Sequence, residues 1–221
     1  MPSRIVKNWD SEGRVPQATL SRLSGHIRPP MPLKERIAQS IYRLKVQQNK
    51  LENSAMKMQR HDRNLFDKCI TAQMTKDASR AALYASECAE IRKMASTVLR
   101  CQLAMEKVIL RLENVQLFGD TVSMMGPVAD VVRSIGSQIS GIMPEVSFAL
   151  GDIGETLNSV VIEVGEATGQ TYDDFAASSE AQKILTEAST VAEQRMTEKF
   201  PDLPRVAAAT GARYSESGVT Q

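Results

Sequence analysis

Ile37, Leu44, Leu51, Met58 and Leu65 recur every seven residues, a spacing that keeps side chains on one stripe of an α-helix and does not suit a strand. Ile41 and Ala55 fill half of the second position of this seam, and Gln48 and Asp62 fill the other half. The seam is therefore narrow and partly polar. Tyr84, Ile91, Val98, Met105 and Leu112 repeat the same interval, flanked by Ala81, Cys88, Ala95, Gln102 and Ile109. Two helices of about 40 residues, each roughly 60 Å long and joined near Thr71 to Thr75, predict a long antiparallel hairpin. Small residues on the second helix let it approach the first closely. The seams alone leave open whether further helices share them.

The rest of the chain adds helices and no strands. Aromatic residues make up 5% of it, too few for a thick globular core, and Ala, Glu, Lys, Arg, Gln and Met fill long stretches that lack period-2 β-branched runs. The predicted class is all-α: a long antiparallel helical hairpin with shorter C-terminal helices. Eight of the twelve glycines fall between Gly119 and Gly169, yet Val128, Val132, Ile135, Ile139, Ile142, Val146, Leu150, Ile153, Leu157, Val160 and Val164 keep a helical spacing through them. Each internal glycine weakens a helix by about 0.5 to 1 kcal/mol relative to alanine, and Pro144 suits the first turn of a new helix. These features predict two short, weak, acidic helices that depend on packing and could rearrange.

Five segments follow: a basic flexible arm (1–31), the hairpin (32–117), the glycine-containing acidic helices (118–169), a linker at Gly169 to Ala177 with an amphipathic helix capped by Ser178 or Ser179 (170–199), and a tail (200–221). Cys69, Cys88 and Cys101 are odd in number and lack metal-site spacing, so reduced thiols are expected and a disulfide or zinc site is not. The N-terminus shows no apolar signal-peptide core. Ser134 to Pro144, the longest uncharged stretch near the middle, is well short of the roughly 18 to 20 apolar residues that span a bilayer. Membrane contact, if made, is expected to be peripheral.

His26 and His61 have no partner at metal or triad spacing, and no phosphate-loop, dinucleotide or nucleophile-elbow motif occurs. No enzyme activity, cofactor or metal is expected. What remains is charge. Residues 1–70 carry 14 Lys and Arg against 6 Asp and Glu, whereas residues 114–221 carry 6 against 15. A basic half can approach an anionic surface while an acidic half folds back to compete for it. Arg36, Arg43, Lys50 and Lys57 recur every seven residues beside the apolar seam, either as a plain solvated face or as a binding stripe. They continue the cations of the arm, among them Arg4, Lys7 and Arg14, around Trp9, which is suited to a headgroup boundary. Anionic lipid is favoured over nucleic acid, because base-stacking aromatics are not interleaved. A soluble coiled-coil scaffold or DNA-binding structural protein is the alternative.

The order of these parts resembles ESCRT-III proteins, in particular the archaeal cell-division CdvB-type paralogues. The resemblance rests on PLKERIAQSIYRLKVQQNKLE (Pro32 to Glu52), ASECAEIRKMA (Ala85 to Ala95), GIMPEVSFAL (Gly141 to Leu150) and VAEQRMTEKFPDLP (Val191 to Pro204), within roughly residues 32 to 206. It implies a subunit that polymerises with itself and with paralogues on the inner, cytoplasmic face of the cell membrane, for division at the division site or for vesicle budding. It also implies release of the acidic C-terminal helices on assembly, and extraction by a AAA ATPase with an MIT domain. Phe200, Pro201, Asp202, Leu203 and Pro204 match the apolar-Pro-x-apolar-Pro order that such ATPases bind, although Phe200-Pro201 could equally end a helix. The 17 residues after Pro204 are too few for the winged-helix-like tail of some CdvB proteins.

Overall fold

In the computed structural model, which describes residues 31–118, 125–168 and 174–202, the two repeats become two long helices. α1 spans Leu33–Met74 and α2 spans Ala78–Phe118. Three shorter helices follow: α3 (Met125–Ile139), α4 (Pro144–Thr168) and α5 (Asp174–Lys199). The arm residues Arg4, Lys7, Trp9 and Arg14, and Leu203 and Pro204 of the tail, lie outside the described residues.

The hairpin turn falls at Thr75 to Asp77, just past the predicted Thr71 to Thr75, because two capping devices meet there. Lys76 takes the left-handed conformation (φ 60°), and the Asp77 amide donates back to the Ala72 carbonyl at 2.9 Å, which closes α1 with the bond pattern usually reserved for a glycine. Asp77 then accepts from the Arg80 amide at 3.0 Å and caps α2. Ile37, Leu44, Leu51 and Leu65 on α1 and Ile91, Val98, Met105 and Leu112 on α2 are buried along the predicted seam. Met58 and Tyr84 are half-buried.

α2 is more than half of a hairpin. Beyond Ala95 it also buries Leu99, Cys101, Leu103, Ala104 and Val108, because α3 and α5 pack on it as well as α1. α4 lies against α1 and α3. A single large core thus joins one end of the hairpin to all three shorter helices. The other end, towards the turn, holds two small clusters: Leu65, Cys88 and Ile91, and then Cys69, Ala72 and Ala81.

The acidic segment differs from the predicted pair of short helices in one respect. α3 is short, but α4 runs 25 residues through Gly151 and Gly154. Its glycines do not break it because its apolar stripe, from Val146 through Leu150, Ile153, Leu157 and Val160 to Val164, is buried. Packing supplies what propensity lacks. Gly136 and Gly154 face the α3–α4 contact, where an added Cβ would sit 3.5 Å from the Ser147 carbonyl oxygen and 3.8 Å from Val132, respectively. Pro144 opens α4 as predicted. α5 begins at Asp174, within the predicted linker, so Ser178 and Ser179 are helix residues and do not cap it.

Candidate functional site: a charge clamp and an arginine latch

The basic stripe of α1 divides in two. The Arg36 guanidinium donates to Glu163 Oε2 at 2.5 Å and to Ser159 Oγ at 2.6 Å, and Arg43 reaches Asp152 Oδ2 at 3.5 Å. Both partners belong to α4, and the pairing of 36 with 163 and 43 with 152 makes α4 antiparallel to α1. Lys50 and Lys57 are exposed. The seven-residue spacing that aligns the four cations therefore yields two covered positions and two open ones.

α5 makes the matching contact on α2. Arg111 pairs with Glu180 at 2.8 Å, and Lys107 pairs with Glu187, so α5 runs antiparallel to α2. All four pairs are partly solvated, and each contributes on the order of 0.2 to 1 kcal/mol. Apolar burial holds the helices. Val160, Leu157 and Ile153 of α4 and Ala181, Ile184, Ala188 and Ala192 of α5 enter the core. The charges choose which surface is covered.

The end of α5 is held differently. Asp62 sits in the α1 seam with 1% of its side chain exposed, opposite Arg92 of α2, whose side chain is 14% exposed. Arg92 Nε donates to Asp62 Oδ1 at 2.7 Å and Nη2 donates to Oδ2 at 3.0 Å, a two-point pair. Its remaining terminal nitrogen, Nη1, donates to the backbone carbonyl of Pro201 at 2.6 Å. The guanidinium carbon lies 5.9 Å from the Phe66 ring centre and 5.7 Å from that of Phe200, within range of cation–π attraction on both. Phe200 is buried. One arginine thus joins α1, α2 and the first two residues of the predicted docking segment, while Asp202 stays exposed.

Asp62 was legible as a polar break in an apolar seam. Arg92 and Phe66 carry no signal of their own, since a lone arginine or aromatic on a long helix is ordinary. Close by, burial and the negative charge of Asp62 push the Cys88 thiol up to about 11, so it stays protonated at neutral pH. No described helix is long and apolar enough to cross a membrane.

Over 78% of its length the chain is 46% identical to Cell division protein B1 of Sulfolobus acidocaldarius, in a match that spans 81% of that protein. It is 35% identical to Cell division protein B of the same organism over 78% of this chain and 66% of that one. Cell division protein B3 is 26% identical over 53% of this chain and 68% of its own. No family model matches the chain, and no solved structure does.

Proposed function

Because the chain belongs to the archaeal CdvB-type branch of the ESCRT-III family, we propose that it serves cell division as a non-enzymatic filament subunit, here in a closed storage form. In this form α4 and α5 lie along the hairpin. On release, Arg36 and Arg43 join Lys50 and Lys57 in a continuous cationic stripe, and with Arg4, Lys7, Arg14 and Trp9 of the N-terminal segment they meet the anionic inner face of the membrane at the division site. Released hairpins pack with each other and with other B-type chains. The observation that carries this reading is the covered half of the stripe. Two of four evenly spaced cations are matched by carboxylates from the acidic half, which a face built only for solvation does not require.

The segment from Phe200 to Pro204 fits the groove of a AAA ATPase MIT domain, because prolines pre-set an extended backbone and Phe200 and Leu203 supply anchors. Phe200 and Pro201 are held by Arg92 in the closed form. Docking on the ATPase and closure on the hairpin therefore compete for the same two residues.

The test compares the full chain with residues 1–168, which lack α5, and with the full-length Lys107→Glu/Arg111→Glu variant, which repels α5 without cutting the core. Both altered forms are expected to polymerise in negative-stain micrographs on anionic vesicles under conditions where the full chain does not. Identical assembly of all three rejects the closed form. Changing Arg36, Arg43, Lys50 and Lys57 to Glu should abolish co-sedimentation with the vesicles. A preference for duplex DNA over vesicles in direct competition would turn the reading to a DNA-binding structural protein.

A further inference from the structure

On the side of α5 away from Glu180 and Glu187 is a half-enclosed cleft of about 360 Å³ between α2, α3 and α5. Its cation is Arg100. The Nε of that guanidinium is buried with no hydrogen-bond partner, and the one bond the group makes among the described residues is from Nη2 to Thr97 Oγ1 at 3.2 Å. No carboxylate among the described residues lines the cleft. Arg36, Arg92 and Arg111, which are also partly buried, each have one, in Glu163, Asp62 and Glu180. A buried unsatisfied donor is among the most destabilising features a fold can carry.

The walls face Arg100 with further donors. Ser134 of α3 accepts from Gln138 Nε2 at 3.1 Å, which leaves its own hydroxyl hydrogen free. Ser189 of α5 lines the opposite wall. Hydroxyls on these helices commonly donate to the carbonyl one turn back, as Thr97 and Thr186 do. Ser134 and Ser189 make no such bond among the described residues, and both face the cleft. The second amide hydrogen of Gln138 and the amide of Gln182 stand beside them. The adjacent Cys101 thiol cannot serve as counter-charge, because burial pushes it up to about 11.

A cleft that holds, among the described residues, one cation, two hydroxyls that donate no bond, two amides and no negative charge is complementary to a small oxyanion with several acceptor atoms. We propose that it binds a phosphate group, free or as a monoester, with Arg100 as the anchor and Ser134 and Ser189 as donors from either side. Since the donors come from three helices, the bound anion bridges α5 to the body of the protein. The inference concerns binding by the closed chain and does not depend on filament formation.

Inorganic phosphate added to the full chain at constant ionic strength should broaden its ³¹P resonance and raise the unfolding temperature with the concentration dependence of a single site. It should also slow hydrogen exchange along α5. Arg100→Gln should weaken phosphate binding by about tenfold to a hundredfold, and Arg100→Lys by less, because it keeps the charge but loses the fork. Should Arg100→Gln fail to fold, Ser134→Ala/Ser189→Ala, which removes no charge, decides the matter by a smaller loss of affinity. An equal rise in unfolding temperature for the wild type and every variant, or an unbroadened ³¹P line, overturns the site. A second arm separates sources: exchange along α5 slowed more by vesicles carrying a phosphomonoester lipid than by free phosphate at the same phosphate concentration, and not by vesicles of equal charge carrying a phosphodiester lipid, assigns the phosphate to a headgroup.

Discussion

The two ends of the hairpin are built from the same repeat and differ in almost everything else. At the end near Leu112, α2 is surrounded by α1, α3 and α5, and one core contains nearly all the large buried side chains. At the turn end the two helices face only each other among the described residues, over Leu65, Cys88 and Ile91 and then Cys69, Ala72 and Ala81. The body is held by area, and the turn end by small residues in close contact. Asp62 and Arg92 stand at the boundary, and the end of α5 reaches that far and no further. The difference teaches that a heptad repeat specifies a partner helix without specifying how firmly either end is held. Firmness comes from the additional helices.

Leu112→Ala, in the thick core, should produce the largest effect, a loss of about 2 to 5 kcal/mol in denaturant unfolding, against well under half of that for Cys69→Ala near the turn. Equal losses would erase the distinction between the ends. Asp62→Ala comes next. It leaves Arg92 largely buried without its carboxylate, at a cost of about 3 kcal/mol, and hydrogen exchange at the C-terminal end of α5 should quicken while that at the start of α4 does not.

The thiols sharpen the comparison because they report from both ends. Cys69 and Cys88 lie in the turn-end clusters and Cys101 in the main core, and all three are buried. Pulsed alkylation should modify Cys69 and Cys88 through local opening before Cys101. Cys88 and Cys101 are each raised from 9.0 to about 11 on folding. The folded state therefore holds more protons than the unfolded state between those values, and stability falls as pH rises through about 9 to 11. The Cys88→Ala/Cys101→Ala variant should flatten that slope in denaturant titrations run across the range. The smallest effect is a gain. Gly151 is a helical residue of α4 with nothing within 4 Å of an added Cβ, so Gly151→Ala should stabilise the chain by about 0.5 to 1 kcal/mol.

How much of this could be read from the chain depends on what a helix touches. The hairpin and the α3–α4 series were legible because each has one dominant buried stripe, and Pro144 marked its boundary through the missing amide. The crowding of α2 was only half legible. Leu99, Leu103 and Val108 stand off the seven-residue stripe, and such off-stripe apolar residues are what additional neighbours require. The start of α5 was misplaced because Gly169 to Ala177 has the composition of a linker, whereas the helix begins at Asp174. In the candidate site, the repeat located Arg36, Arg43, Lys50 and Lys57 but could not assign Glu163 or Asp152 to them, since those pairings span more than 100 residues. The Arg92 latch was not legible, because it depends on three segments meeting in space.

The antiparallel course of α5 has a mechanical consequence. The α5 segment ends at the Phe200-Pro201 attachment to Arg92, so traction applied beyond Pro201 does not strain every α5 contact at once. It loads the Arg92 attachment alone, then the neighbourhood of Lys107 and Glu187, then that of Arg111 and Glu180, in sequence. Helices pulled lengthwise past each other resist together, whereas a helix peeled from one end yields one turn at a time and needs far less force.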